Sequence, residues 1–334
     1  MSMKESLSYC DCNEAGLTRR FTGKGFSYYD CQKKITNAKT IDRINSLKIP
    51  PAWKNVWICL DPSGHIQATG CDVKGRKQYL YHPLWIKRRK IEKFNGMQQF
   101  GEKLPLLLKK VKSDLRRRSL NQDKICAFAV LLMSETFIRI GNKNYEKDNG
   151  SFGLTTLKNR HISLHSNTVF IKFVGKKGVK QQIKLTNRQL SNLIKTMKDL
   201  PGQNLFQYYD DDHAIQQLNS RDINHYLKKI VGIDISSKDF RTWGASSIAL
   251  YEVLSIPIPK TLKERESVLR DIIQKVALKL GNTVAVAKKY YVHPKIQQSF
   301  LNGTLDTFIQ KNANKINNKK NDHKLRKLLL ELLN

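Results

Sequence analysis

The spacing of apolar residues changes near residue 90 of this 334-residue chain. Before that point, Gly and Pro residues separate short β-prone runs, such as residues 56–59 and 65–69. Beyond it, apolar residues recur at helical spacing, for example over residues 104–120. The pattern predicts an α+β protein, in which a small β-rich N-terminal domain, residues 1–88, precedes a larger, mostly α-helical domain, residues 89–334.

A β-prone interlude interrupts the helical part. Strand-like runs occupy residues 160–164, 168–174 and 180–185, and turn-forming residues separate them at 165–167 and 175–178. Short runs joined by tight turns predict a three-stranded antiparallel sheet within the second domain.

The last part of the chain carries a helical pattern and then a polar tail. The pattern over residues 264–280 ends at Gly281, a residue typical of helix C-termini. Residues 311–320 are rich in Asn and Lys, which predicts a flexible segment. The apolar face of residues 325–333 predicts a short helix, either docked on a partner surface or merely solvated.

Basic residues greatly outnumber acidic ones. The chain has 60 Lys and Arg against 28 Asp and Glu, a formal net charge of +32. So many positive side chains repel one another unless a polyanion is the usual partner, so nucleic acid is the predicted ligand. A membrane surface would also attract this charge, but the longest apolar run, residues 125–133, is far shorter than the roughly 20 residues that span a bilayer. We therefore predict no membrane partner.

The N-terminus and the cysteines indicate an intracellular protein. No apolar signal region follows Met1, and the six cysteines form no regular framework in a chain of this length. Cys10, Cys12 and Cys31 invite a zinc interpretation, but they lack the paired spacing of zinc ligands and no pair of histidines follows them. We expect reduced thiols and no metal.

The motifs of several common reactions are absent from the sequence. It contains no Gly-x-x-x-x-Gly-Lys-Ser/Thr loop, no Gly-x-Gly-x-x-Gly, no His-Glu-x-x-His and no Gly-x-Ser-x-Gly. The three aspartates at residues 210–212 suggest either a magnesium site or a polar loop that begins a helix, and we favour the loop. The sequence therefore indicates no cofactor.

Three cationic residues lie in apolar or turn-forming surroundings. Arg139 lies within Phe-Ile-Arg-Ile-Gly, Lys176 is in a predicted β-turn, and Arg241 follows Lys-Asp-Phe. A charged group beside a core needs a partner, and a phosphate would serve all three. Each residue taken alone more often makes a structural salt bridge than binds a phosphate.

Several long segments resemble the type IB DNA topoisomerases, specifically their compact poxvirus-like and bacterial-type branch, and only the extreme termini lie outside the match. The segments are Ile-Pro-Pro-Ala-Trp at 49–53, Cys-Asp-Val-Lys-Gly-Arg-Lys-Gln-Tyr-Leu-Tyr at 71–81, Arg-Ile-Gly-Asn at 139–142, Asn-Gly-Ser-Phe-Gly-Leu-Thr-Thr-Leu at 149–157, Phe-Val-Gly-Lys at 173–176, Leu-Pro-Gly-Gln-Asn-Leu-Phe-Gln-Tyr at 200–208, Lys-Asp-Phe-Arg-Thr-Trp at 238–243, Leu-Gly-Asn-Thr at 280–283 and Tyr-Val-His-Pro at 291–294.

The resemblance implies a reaction and its residues. Tyr291 would attack a DNA phosphodiester, forming a 3′-phosphotyrosyl bond and a free 5′-hydroxyl. Arg139 and Arg241 would stabilise the pentacoordinate phosphate, and Lys176 would act as general acid toward the leaving oxygen. Strand rotation and religation would relax supercoiled DNA without ATP or metal, because the intermediate conserves the bond energy.

Tyr290 and Asn282 lie close in sequence to the predicted nucleophile and bear on its assignment. Tyr290 is a rival on chemistry alone, but the register of Tyr-Val-His-Pro selects Tyr291. Asn282 lies where many relatives, including the poxvirus enzymes, carry His. An Asn amide donates a hydrogen bond to a phosphate oxygen but supplies no imidazolium charge, so we expect activity with weaker transition-state stabilisation.

The resemblance also implies DNA contacts outside the reaction centre. Gln78, Tyr79, Tyr81 and Tyr145 match residues that reach bases or phosphates in poxvirus relatives. Tyr79 and Tyr81 alternate on a predicted strand, so both would lie on one face. Aromatic packing within a small β domain is the alternative.

Two alternatives from other classes stay open at this point. A tyrosine recombinase shares a similar catalytic domain, but its second arginine follows His-x-x, whereas Arg241 follows Lys238-x-x. A basic DNA-packaging protein would explain the charge but not Tyr291.

The topoisomerase resemblance implies a monomer that closes as a C-shaped clamp on double-stranded DNA. A Lys-, Asn- and Ile-rich chain indicates an AT-rich genome. The resemblance to poxvirus enzymes would suit a large DNA virus, and a viral enzyme would be expected in the virion and in the host cytoplasm or viral factory.

Overall fold

A computed structural model describes residues 6–313 and 322–334, without the side chains of Tyr145 and Asp322. Within it, the chain forms two compact units, Met1–Lys93 and Phe94–Asn334. A small N-terminal sheet lies in the first and a mostly helical core in the second, as the α+β prediction requires. The predicted division into functional domains at residues 88 and 89 stays a prediction.

The first unit is an antiparallel sheet of six strands in the order β3-β2-β1-β4-β5-β6. The sheet and helix α1 enclose a small core of Leu17, Ile44, Val56, Ile58 and Ala68. The β-prone runs of the sequence fall in β4 and β5, with the expected turn between them. The elements are β1 (Leu17–Phe21), β2 (Phe26–Asp30), β3 (Lys33–Lys34), α1 (Ala38–Ser46), β4 (Lys54–Ile58), β5 (Ile66–Cys71) and β6 (Lys77–Tyr81).

The helices that follow carry most of the buried apolar surface. Nine of the fifteen residues of α3 are buried, including every residue from 125 to 130, which is typical of a helix at the centre of a domain. The helices are α2 (Pro83–Asp114), α3 (Gln122–Thr136), α4 (Lys143–Asn149), α5 (Arg188–Lys198), α6 (Ser220–Val231), α7 (Ser237–Leu254), α8 (Leu262–Leu280), α9 (Val284–Tyr290), α10 (Pro294–Leu301), α11 (Asp306–Asn312) and α12 (Asp322–Leu333). No helix among the described residues is long and apolar enough to span a bilayer.

The predicted three-stranded sheet is confirmed. Its strands are β7 (Ile162–His165), β8 (Thr168–Val174) and β9 (Lys180–Thr186), antiparallel and in chain order. The inward faces of β8 and β9 pack on the helical core.

Two details of the sequence-based prediction were wrong. The apolar pattern over residues 104–120 suggested a helix to its end, but α2 stops at Asp114. The Arg116 N–H donates to the Ser113 carbonyl and the Arg117 N–H to the Asp114 carbonyl, both at 3.1 Å, so the backbone tightens after Asp114 and the α-helix ends. The buried Asp114 carboxylate holds this end through Lys110, Arg117 and the Tyr226 hydroxyl.

The aspartates at 210–212 form a polar loop, as favoured, but no helix begins there. They join two short strands, β10 (Gln207–Tyr209) and β11 (Ile215–Gln217), and the Asp210 carboxylate accepts from the Ala214 N–H at 2.8 Å. A side chain that caps its own turn needs no metal to explain it.

The end of the chain returns to the core. Leu328, Leu329 and Leu332 of α12 are buried, and the helix packs against α7. Most of the segment predicted to be flexible, residues 314–320, lies outside the described residues.

Candidate active site

Arg241 is the most deeply buried cation of the candidate site, with 4% of its surface exposed. It lies in the second turn of α7, which starts with a capping box in which the Ser236 N–H donates to the Asp239 carboxylate at 2.7 Å. The guanidinium donates to the carbonyl of Phe137 and, at 2.9 Å, to that of Leu280. Arg241 thereby connects α7 to the ends of α3 and α8.

A glycine on α7 permits this close approach. A side chain at Gly244 would place its first carbon 2.0 Å from the ring of Phe137. Phe137 itself ends α3 in the left-handed conformation, with φ of 56°, so the chain turns sharply just before Arg139. Tight packing of α3 on α7 therefore holds Arg139 and Arg241 near each other.

Arg139 and Asn282 meet across the site. The Arg139 guanidinium donates to the Asn282 side-chain oxygen. Asn282 follows Gly281, which ends α8 with φ of 58°. The Asn282 N–H donates back to the Ala277 carbonyl at 2.9 Å. The predicted helix stop thus positions Asn282, because the left-handed turn aims this residue away from the helix axis.

Tyr291 lies directly after α9, half-buried against the helical core. The Ser246 hydroxyl of α7 donates to the Tyr291 carbonyl at 3.3 Å and accepts from the His293 N–H at 3.0 Å. The guanidinium carbon of Arg241 lies 5.1 Å from the centre of the Tyr291 ring. The backbone and ring of Tyr291 are therefore both held by α7.

We call Arg139, Arg241, Asn282 and Tyr291 the arginine–tyrosine cluster. Burial, and then the charge of Arg139, lower the pKa of Arg241, while the Tyr291 hydroxyl acts in the opposite direction. None of the ion pairs between described residues includes either guanidinium. Two neighbouring cations without a carboxylate form a site that an anion would stabilise.

The cluster also presents buried donors without acceptors. Among the described residues, Arg241 Nε and Asn282 Nδ2 are buried and have no hydrogen-bond partner. An unsatisfied buried N–H is costly in free energy, and such groups mark places where a ligand atom completes the network. A phosphate oxygen would provide the missing acceptor for each donor.

Lys176 lies outside this network. It is exposed in the turn between β8 and β9, which we call the lysine turn, residues 175–179, closed by the Gly175 N–H donating to the Val179 carbonyl at 2.8 Å. The preceding strand end is tied down, since the Phe152 N–H donates to the Val174 carbonyl at 2.8 Å. The turn is thus fixed at its base while the lysine side chain extends into solvent.

The predicted DNA contacts of the first unit lie on its edge strand. Tyr79 and Tyr81 share one face of β6, with ring centres 5.9 Å apart and nearly parallel planes, and each is 41% exposed. Gln78 lies on the other face and donates to the Asp72 carboxylate at 3.0 Å. Two exposed stacked rings are not core packing, so the alternative of buried aromatic residues does not apply to them. The side chain of Tyr145, on α4, is outside the described part.

The cysteines considered for zinc do not converge. Cys10 donates to the Ile66 carbonyl at 3.3 Å, Cys12 accepts from Lys77 at 3.1 Å, and Cys31 is exposed. Within residues 6–313 and 322–334, no group of three or more His, Cys, Asp or Glu residues is arranged to hold a metal ion.

Sequence reasoning missed Ser246. A serine within a helix gives no signal of its own, because its role depends on the tertiary contact with the Tyr291 backbone. Ser246 lies five residues after Arg241 on the same helix. This spacing indicates a role for Ser246 only when the positions of Ser246 and of the Tyr291 backbone are both known.

Comparison with known proteins assigns the class. Residues 77–322 match the family model described as "Eukaryotic DNA topoisomerase I, catalytic core", and residues 25–72 match "Bacterial DNA topoisomerase IB, N-terminal domain". The chain belongs to the type IB DNA topoisomerases, as the resemblance predicted.

The similar proteins are viral. The chain is 34% identical to DNA topoisomerase 1B of Acanthamoeba polyphaga mimivirus over 286 residues, which cover 83% of this chain and 85% of the relative. It is 28% identical to DNA topoisomerase 1B of Vaccinia virus (strain Copenhagen) and 29% identical to DNA topoisomerase I of Monkeypox virus, each match covering 67% of this chain and 68% of the relative. Membership of this family argues against the recombinase and DNA-packaging alternatives.

Proposed function

We propose that the chain relaxes supercoiled double-stranded DNA by cutting one strand through Tyr291, letting the strand rotate and resealing it. The observation that supports this most directly is the arginine–tyrosine cluster. The Arg241 guanidinium lies over the Tyr291 ring, Arg139 bonds to the Asn282 amide, and no ion pair between described residues includes either arginine. Such an arrangement suits phosphoryl transfer, in which the protein mainly supplies position and positive charge.

Each member of the cluster has a distinct part in the reaction. The Tyr291 oxygen attacks the phosphorus of a phosphodiester, the bond to the 5′-oxygen breaks, and a 3′-phosphotyrosyl bond forms. Arg139, Arg241 and the free amide N–H of Asn282 donate to the non-bridging oxygens, on which negative charge accumulates in the transition state. The guanidinium groups are already oriented by their backbone and amide partners, so little reorganisation precedes the chemical step.

Lys176 and solvent supply and accept the protons of the reaction. The phenol proton of Tyr291 passes to water, and Lys176 donates a proton to the departing 5′-oxygen, leaving a 5′-hydroxyl. Solvent then reprotonates the exposed lysine. Religation reverses these steps. Because the phosphotyrosyl bond retains the energy of the broken bond, we expect neither ATP nor a metal ion to be needed.

The charge and the exposed residues support binding to a DNA duplex. A net charge of +32 favours a polyanion, and such binding weakens with salt because phosphate contacts release counterions. Gln78, Tyr79, Tyr81 and Tyr145 are the proposed DNA contacts. The family resemblance supports a monomer that closes as a C-shaped clamp, and the viral relatives support action within an infected cell, in the cytoplasm or viral factory, and carriage in the virion.

Relaxation of a supercoiled plasmid in EDTA and without ATP tests the function. The wild-type chain should relax the plasmid, and Tyr291→Phe should not, because it lacks the nucleophilic oxygen. Tyr290→Phe is the matched control and should retain relaxation. Relaxation by Tyr291→Phe would contradict the assignment, while strand exchange between plasmids would favour a recombinase and compaction alone would favour a packaging protein.

A further inference from the structure

Gln181 occupies a position of β9 where an apolar residue would be expected. Along this strand, exposed and half-buried residues alternate, and Gln181 shares the inward face with Ile183 and Leu185. Those two neighbours pack on the hydrophobic core. Burying a polar side chain on an inward face stabilises the fold less than burying an apolar one. The presence of glutamine at this position therefore suggests that its amide has a specific contact.

The side chain of Gln181 lies between two glycines. A side chain at Gly281 would place its first carbon 2.3 Å from Gln181 Nε2 and 3.0 Å from Gln181 Cδ. At Gly175, the corresponding carbon would lie 3.3 Å from Gln181 Cγ. The amide of Gln181 therefore rests on the backbone at Gly281, and its stem rests against Gly175.

Both glycines immediately precede residues of the proposed reaction. Gly175 begins the lysine turn and is followed by Lys176, while Gly281 ends α8 and is followed by Asn282. Gln181 thus fills the space between the turn that carries the proposed acid and the loop that carries a member of the arginine–tyrosine cluster.

We propose that Gln181 is a positioning residue, which braces the lysine turn against Gly281 so that Lys176 reaches the departing oxygen. This inference rests on the proposed function, since it assigns Gln181 a role through Lys176. Lys176 has no other described contact to the cluster, and a proton transfer requires its donor within hydrogen-bond distance of the acceptor. Without the brace, the turn would sample positions from which the lysine does not reach the DNA.

The proton requirement provides a selective test. Single-turnover cleavage is measured on a DNA duplex with the normal 5′-oxygen, and on a duplex in which sulfur replaces that oxygen. A thiolate leaves without being protonated, so the sulfur substrate does not need a general acid. Lys176→Ala, used as the reference, should be slow with oxygen and close to wild type with sulfur.

We expect Gln181→Ala to follow the same pattern more weakly. Its cleavage of the oxygen substrate should be about tenfold slower, because a mispositioned acid loses part of the 10²- to 10⁴-fold that general acids contribute. Its rate with sulfur should match wild type, which also shows that the variant is folded. Gln181→Met, which has a side chain of similar length, should recover most of the oxygen rate.

Gln182→Ala is the matched control, because Gln182 lies on the exposed face of the same strand. It should cleave both substrates at the wild-type rate. Equal slowing of Gln181→Ala with oxygen and sulfur, an unchanged oxygen rate, or no recovery by Gln181→Met would each overturn the inference. If wild type itself formed no covalent adduct with either duplex, the proposed function would fail instead.

Discussion

The two parts of the candidate site are built in opposite ways. The arginine–tyrosine cluster is buried or half-buried, and its groups are fixed by backbone carbonyls, a side-chain amide and the Ser246 hydroxyl. Lys176 is exposed, and only the base of its turn is tied down. Groups that stabilise charge benefit from being preorganised away from water, whereas a group that gives up a proton must exchange protons with solvent. The difference in burial therefore matches the difference in the chemical roles proposed for these groups.

The largest effect should follow removal of Arg241. Arg241→Ala deletes a guanidinium from the phosphate and leaves the Phe137 and Leu280 carbonyls without their donor. We expect single-turnover cleavage to slow by about 10³-fold. Thermal unfolding should also show a loss of stability of about 3 kcal/mol, because two buried hydrogen bonds from a charged group disappear.

Arg270→Ala, on the exposed face of α8, is the control and should change neither property. If Arg241→Ala kept wild-type stability, the carbonyl contacts would not be the interactions that hold the cluster together.

Removal of Lys176 should affect chemistry alone. Lys176→Ala should slow cleavage by about 10²-fold while leaving the melting temperature unchanged, since the side chain is exposed and makes no described contact. Lys177→Ala removes an equal charge from the same turn and should have little effect on the rate. Comparable losses in both variants would indicate that the turn contributes only general attraction to DNA.

A smaller effect should come from Ser246. Ser246→Ala removes the hydroxyl that joins the Tyr291 carbonyl to the His293 N–H, so the tyrosine is held less firmly. We expect cleavage about tenfold slower and stability lower by about 1 to 2 kcal/mol. Ser247→Ala, at the next position of α7, is the comparison, and an equal loss there would show that the effect is not specific to the Tyr291 contact.

The smallest effect should come from Asn282→His. A neutral imidazole keeps one nitrogen to accept from Arg139 and one N–H to donate to the phosphate. When protonated it carries a positive charge, but both nitrogens then donate and the bond from Arg139 is lost. Single-turnover rates should equal wild type or exceed it by about a few-fold. Asn282→Ala should be slower than both. A rate for Asn282→His below wild type would mean that the cluster depends on the geometry of the amide.

Local patterns were sufficient for much of the fold. Strands β7 to β9 were predictable because short β-prone runs are separated by turns, and the end of α8 was predictable because Gly281 adopts a left-handed conformation. Strands β10 and β11 were missed because they are short and mostly polar, so their pairing is set by the hairpin itself. The end of α2 was missed because one of the partners that hold Asp114 there, the Tyr226 hydroxyl, is distant in sequence.

The residues of the candidate site also differ in how far local sequence could predict them. Arg139, Arg241 and Tyr291 were proposed as site residues from segments that resemble a family, and the alternation of Tyr79 and Tyr81 correctly placed both rings on one face of a strand. Ser246 and Gln181 carry no local signal of a role, because each acts through the backbone of a segment far away in the chain. Such residues emerge only when the fold brings their partners together.

The contacts of Arg241 also bear on when the protein becomes able to cut DNA. One side chain joins the chain near residue 137 to the chain near residue 280, so the proposed phosphate-binding groups assemble only after most of the second unit has folded. A nascent or partly unfolded chain would carry the tyrosine but not the surrounding charges. Under the proposed mechanism, strand breakage would be confined to molecules that have completed folding and can also reseal the DNA.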